Sequence, residues 1–269
     1  MKISFSTLGC PNWKWNEILS AAKDLGFDGI ELRGLGEDLF LPDMRLFAKE
    51  NRPETRAEIE ALGLKVPCIS TECFLNNPEV DFEEEIIAYL DLAKDIGSHC
   101  IRVMGDRSGE KPSYGIDISL IVQRLKRLVP EAEKAGVIIL IETNGIFANS
   151  ATLKALLEGI GSEYVQALWD IHHPFRYLGE LPEETYANIG RYVKHIHVKD
   201  SKIENGHLVY KMTGYGDLPL QAAFRVLKKN GYDGFISLEW LKRWNSELED
   251  PGVVFSHFAY AAKQLIKNA

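Results

Sequence analysis

Short apolar runs alternate with longer amphipathic stretches from one end of the chain to the other. The runs at 3–8, 29–32, 66–70, 100–104, 137–142, 165–169, 193–198 and 234–238 are rich in Ile, Val and Leu and apolar almost throughout. Continuous rather than alternating hydrophobicity predicts parallel strands covered on both faces. Between and after them, the spacing predicts helices at 16–25, 53–62, 82–96, 118–135, 151–157, 182–189, 219–230 and 253–267. Five helices end in a glycine just before the next strand, in LGFDG, LGLKV, IGSHC, AGVII and NGYDG. Glycine adopts the left-handed conformation that closes a helix, so these mark short helix-to-strand turns on one face of the molecule. Eight strand–helix alternations predict an α/β protein, a single (β/α)8 barrel domain spanning 1–269. The length agrees with the roughly 250 residues typical of that fold. The rival, a doubly wound open sheet, would carry a glycine-rich phosphate turn after an early strand. LGCPNW after the first run is not such a turn.

The segments leaving the other ends of the strands, at 33–52, 71–81, 105–117, 171–181 and 199–218, are long, polar and rich in Gly and Pro. In barrels these connections build the active site. Four successive apolar runs, VIILIE, VQALWD, VKHIHV and FISLE, place Glu142, Asp170, His197 and Glu239 at their last polar positions. A single buried acid there most simply pairs with Arg or Lys. Four donors at one level of a barrel favour a metal site instead. Three carboxylates and an imidazole, with no thiolate, suit one divalent ion: Mn²⁺, Mg²⁺, Co²⁺, Fe²⁺ or catalytic Zn²⁺.

Composition narrows the rest. A net charge of −8 argues against a nucleic-acid partner, which calls for a basic stripe. Cysteines at 10, 68, 73 and 100 form no CxxC pair, which predicts buried thiols in a reducing compartment. The N-terminus lacks a secretory pattern and no run approaches the ~20 apolar residues of a membrane span. The expectation is a cytoplasmic protein with no membrane partner.

IETN at 141–144, WDIHH at 169–173, HIHVKD at 195–200, TGYGDLPL at 213–220 and GYDGFISLEW at 231–240, with LGFDGIELR near the start, resemble the xylose isomerase-like sugar phosphate isomerase/epimerase barrels. That superfamily also holds ketohexose 3-epimerases, inosose-processing enzymes, hydroxypyruvate isomerase and the type 2 AP endonucleases. The resemblance implies one metal held by Glu142, Asp170, His197 and Glu239. It also implies that the two glutamates move a proton beside a carbonyl through a metal-stabilised enediolate. His173 matches a substrate-contacting position of the epimerases, and His195 reads as a hydrogen-bonded core histidine. The substrate would be a small carbohydrate or polyol derivative, and dimers among such barrels raise a homo-oligomer as an expectation.

Departures from the pattern inform as well. The endonucleases add histidines after early strands and an Asp-x-His after the seventh; here Ser70, Met104 and an Asp217 without its His stand at those places. Ala148 and Ile203 replace a Glu and an Arg of the ketohexose 3-epimerases. The remaining candidates for substrate binding are Glu31, Arg33, Arg102, Asn144, His173 and Lys199; Arg33, Arg102 and Lys199 could together take a phosphate or carboxylate, with an ion pair inside the barrel as the equal alternative for Arg102. Asp200 is expected to orient Lys199; Trp13, Arg243 and Trp244 are candidate walls, and Trp169 and Trp240 either wall the site or equally pack between barrel and helices. Two other outcomes stay open on the same site: a dehydratase of the inosose or dehydroshikimate type, and a non-catalytic sugar-binding barrel.

Overall fold

The computed structural model describes residues 1–77, 79–106 and 116–269. In chain order the strands are β1 (Lys2–Ser6), β2 (Gly29–Glu31), β3 (Ile69–Phe74), β4 (Cys100–Met104), β5 (Ile138–Glu142), β6 (Val165–Asp170), β7 (Val193–Val198), β8 (Asp200–Glu204), β9 (His207–Lys211) and β10 (Phe235–Leu238). The helices are α1 (Trp15–Asp24), α2 (Arg52–Ala61), α3 (Glu83–Ile96), α4 (Ile118–Ala135), α5 (Ser150–Ile160), α6 (His172–Leu178), α7 (Pro182–Ile189), α8 (Leu220–Lys229) and α9 (Pro251–Asn268). Eight strands pair in parallel in the order β2-β1-β10-β7-β6-β5-β4-β3. Parallel bridges Gly29–Lys65 and Leu32–Ile69 join the two edges, giving the TIM barrel that the alternation predicts. Among the described residues, no helix is long and apolar enough to cross a membrane.

The two-residue period of a strand decides what reaches the barrel interior. On β6 it sends Leu168 and Asp170 inward and Trp169 outward; on β5 it sends Leu140 and Glu142 inward; on β7, His195 and His197. The lower interior is a small apolar plug of Cys68, Cys100, Leu140 and Leu168, and all four cysteines are buried thiols. Trp169 faces Tyr186 of α7, and Trp240 donates from Nε1 to the Glu249 carbonyl at 3.0 Å. Both pack between barrel and helices, so neither walls the site.

The five glycines expected to close helices all have positive φ: Gly26 (70°), Gly63 (72°), Gly97 (78°), Gly136 (68°) and Gly231 (72°). A Cβ on Gly136 would meet nothing within 4 Å, so an alanine there bears only the backbone strain. Gly136→Ala is expected to lower the unfolding free energy by about 1 kcal/mol, measured by urea titration with an unchanged denaturant slope.

Three segments depart from expectation. Strand three, predicted over 66–70, is β3, starting three residues later, because Pro67 has no N–H to give a ladder. The 171–181 connection contains α6, which Pro174 allows in its first turn and Gly179 closes at φ 69°. The 199–218 connection folds part of its length into an antiparallel hairpin, β8 with β9, turning at Asn205 and Gly206 in left-handed backbone. Of the 105–117 connection, residues 107–115 lie outside the described residues.

Candidate metal centre

Glu142, Asp170, His197 and Glu239 converge at the C-terminal end of the barrel. One donor atom from each lies within 4.8 Å of all the others, and all four residues are buried. Asp170 pairs in register with His197, and His197 with Ser237, so the stagger of the barrel lifts Glu239 to the same height. Thr143 fixes the Asp170 backbone from both sides: its Oγ1 donates to the Asp170 carbonyl and accepts from the Asp170 amide.

The orientation of His197 comes from below. Glu31 is fully buried, and its carboxylate accepts from His197 Nε2 at 2.9 and 3.0 Å, from His195 Nε2 at 2.8 Å and from Ser70 Oγ at 2.7 Å. That places a ring proton on Nε2 and turns Nδ1 to the cluster, 3.4 Å from Glu239 Oε1. This is the carboxylate–histidine arrangement by which metal ligands are usually oriented. Glu31 therefore sits beneath the centre with both oxygens engaged. It cannot face a substrate, which corrects the expectation for it. His195 is the hydrogen-bonded core histidine anticipated.

Two cations stand among the acids. Lys199 Nζ donates to both Asp170 Oδ2 and Glu239 Oε2. Arg102 brings Nε to 3.1 Å from Glu142 Oε2 and Nη2 to 4.0 Å from Glu239 Oε1, while donating to Ser70 Oγ and the Thr71 carbonyl. With their charges spent on these carboxylates, neither is a free anion receptor, contrary to the expected trio of Arg33, Arg102 and Lys199. Among the described residues, four buried carboxylates, counting Glu31, face two side-chain cations. Once His197 has given up its extra proton, two negative charges are left over, which fits a divalent ion.

Local fields separate the acids. Burial pushes Glu142 and Asp170 up from the ordinary carboxylate range, although Arg102 and Lys199 respectively oppose it. Burial acts the same way on Glu239, but there the charges of Lys199 and His197 win and hold it well below that range. Burial alone would lower His197, yet Glu31 and Glu239 raise it well above the usual imidazole value. A metal at Nδ1 would therefore compete with a proton for that nitrogen.

His173 Nε2 lies 3.4 Å from Asp170 Oδ2, 3.8 Å from Glu142 Oε1 and 3.2 Å from Asn144 Nδ2. Burial first, then Lys199, keep it neutral. His173 Nδ1 and Asn144 Oδ1 are buried without partners, so this corner offers one donor and one acceptor. Its neighbour His172 turns away to Ser201 Oγ at 2.9 Å.

Asp200 does not orient Lys199. Its carboxylate accepts from the amides of Ser201, Gly214 and Gly216 at 2.8–3.0 Å and ties down the TGYGD loop. A Cβ on Gly216 would fall 1.9 Å from Asp200 Oδ1, which explains the glycine. Asp217 is bound to Arg176, so it is engaged elsewhere. Trp13 lies edge-on to Phe255 and is partly buried. Arg33 and Arg243 lie on the β1–β2–β10 side of the mouth, where Trp244 sits over Arg33 at 5.8 Å. Sequence reasoning missed Ser70 and Thr143 as supports, since a hydroxyl inside a strand carries no pattern of its own.

Known proteins give the arrangement a context. The chain is 25% identical over 249 residues to L-ribulose-5-phosphate 3-epimerase UlaE of Escherichia coli K12, covering 88% of this chain and 84% of that protein. It is 21% identical over 262 residues to fructoselysine 3-epimerase of Escherichia coli O157:H7, covering 92% and 93%. The IOLI protein, solved with a bound zinc atom, superposes with a TM-score of 0.80 at 18% identity over 99% of this chain and 98% of that one. Residues 19–254 match the family model described as xylose isomerase-like TIM barrel, and the chain belongs to that family.

Proposed function

We propose that the protein is a divalent-metal-dependent isomerase or epimerase of a sugar or sugar derivative, moving a proton at a carbon next to a carbonyl. The observation that carries this is the pair of glutamates. Glu142 and Glu239 come from strands on different sides of one buried cluster, and their surroundings push their proton affinities in opposite directions. Groups split in this way are suited to be the base and the acid of one reaction. That two relatives are 3-epimerases supports the reading.

A divalent ion held by Glu142, Asp170, His197 Nδ1 and Glu239 would polarise the carbonyl and so acidify the neighbouring C–H. Glu239, kept ionised by Lys199, is the group to accept that proton. Glu142, whose burial favours its protonated form, returns one from the other face. The Lys199 and Arg102 cations, fixed before substrate arrives, offset negative charge as it grows on the carbonyl oxygen. His173 and Asn144 supply the donor and acceptor that orient a hydroxyl.

The test is solvent exchange. Mn²⁺-loaded protein in D₂O, offered ketoses, aldoses, sugar acids and their phosphates, is expected to place one deuterium on a carbon beside the carbonyl of its substrate, with no other change in mass. Loss of water would move the assignment to a dehydratase. Full metal occupancy with no exchange on any member would leave a binding protein and overturn the proposal.

A further inference from the structure

Arg33 and Arg243 follow the ends of β2 and β10, the two neighbours of β1, and both guanidiniums lie within range of Glu72. Arg33 is 5% exposed; Nη2 binds Glu72 Oε1 at 3.0 Å, but Nη1 is buried with no partner. Arg243 has two buried donors, Nε and Nη2, equally without partners, and Nη2 lies beside Gly34, where a Cβ would come within 3.3 Å. One carboxylate, the half-exposed Glu72, lies close enough to act on both guanidiniums. Three guanidinium nitrogens shielded from water and without an acceptor are costly unless something arrives to fill them. A fixed fork of such donors matches the oxygens of an anion better than a neutral hydroxyl.

Position ties this pair to the centre. Arg33 lies close enough to Arg102 for their charges to repel, and Arg102 in turn reaches Glu142 and Glu239. A molecule reacting at the metal cluster and extending toward β1 would bring its far end to Arg33 and Arg243. Trp244, 55% exposed and stacked over the Arg33 guanidinium, roofs that end.

We propose that Arg33 and Arg243 form the subsite for a terminal oxyanion, a phosphate or a carboxylate, so that the substrate is an anionic sugar derivative. This rests on the isomerase reading above. It moves the anion site from Arg102 and Lys199, which the cluster acids already hold, to a residue pair that includes Arg243.

The test compares matched ketoses that differ only in the terminal group: neutral alcohol, phosphate ester and carboxylate. With Mn²⁺-loaded wild-type protein, one anionic member is expected to have a kcat/KM at least 100-fold above the neutral one, and which member wins identifies the anion. Arg33→Met and Arg243→Met are each expected to shrink that ratio on the order of 10- to 100-fold, mainly through KM, with Arg243→Lys intermediate. A second readout does not depend on turnover. Inorganic phosphate at millimolar concentration should raise the melting temperature of the wild-type protein, and both methionine variants should lose that response while staying folded by circular dichroism. Equal kcat/KM for neutral and anionic members, or a ratio untouched by both substitutions, overturns the subsite while leaving the isomerase reading intact. Arginine-dependent stabilisation by phosphate with no exchange on any sugar would instead keep the subsite and remove the isomerase reading.

Discussion

Glu239→Gln and Glu142→Gln are each expected to lower kcat by about 10²- to 10⁴-fold, the range that a positioned proton-transfer group supplies. Glutamine keeps the length of the side chain and one carbonyl oxygen but cannot carry the proton. The two variants should fail differently. Glu239 is held ionised by Lys199 inside the cluster, so its loss also leaves that buried ammonium with Asp170 as its main partner. Glu142 pairs with Arg102 and accepts from Asn144, and both would reorient around an amide. Exchange of label into substrate without net conversion should survive in the variant lacking the returning acid and vanish in the one lacking the base. His173→Ala, by contrast, removes a substrate donor and is expected to act mainly on KM. Metal content must be measured alongside. A variant that retains stoichiometric Mn²⁺ yet turns over at near-normal rate would sink the two-glutamate mechanism.

The level of each of the four cluster residues was legible because the strands are short and apolar on both faces, so a lone polar residue at the end of a run stands out. VQALWD is such a run, and Asp170 points where the two-residue period says it must. The turns were legible for a similar reason: a glycine after a helix has one main use, and Gly136 and Gly97 both serve it. What stayed hidden depends on distance in sequence. Glu31 at the end of β2 reads like a mouth residue, yet 166 positions separate it from the His197 ring it holds. Only the closed barrel shows that Glu31 sits one layer below the acids. The partners of Arg102 and Lys199 stayed hidden because a sequence does not say which buried cation is spent on which carboxylate, although an ion pair inside the barrel was already an equal reading for Arg102. The hairpin of β8 and β9 was missed because its strands are polar and partly exposed, and so lack the signal that marked the barrel strands. Arg243 carried no periodic pattern at all. Its meaning lies in two donors that find no acceptor once the loops after β2 and β10 are brought together.

Glu31→Gln is expected to weaken metal binding about 10- to 100-fold at pH 8, the usual effect of removing the partner that orients a ligating histidine. Glutamine replaces one of the two acceptor oxygens by an NH2 donor, so it cannot receive both imidazoles as the carboxylate does, and the His197 ring loses its fixed tautomer and angle. The substitution has a second consequence that separates orientation from simple disruption. In the metal-free protein, the charges of Glu31 and Glu239 hold His197 protonated well above its ordinary range, against the effect of burial. Glu142 and Asp170 are shifted upward too, by burial. Each group must be deprotonated to ligate, so binding releases protons and apparent affinity rises with pH until the highest of these groups has titrated. Removing the Glu31 charge lowers the proton affinity of His197, so the pH at which affinity levels off should move down in Glu31→Gln even as the plateau drops. Competition of Mn²⁺ or Zn²⁺ against a chromogenic chelator between pH 5.5 and 9 reads both quantities. A lower plateau with an unmoved pH profile would mean that Glu31 only packs the barrel, and an unchanged plateau would mean that His197 needs no partner to face the cluster.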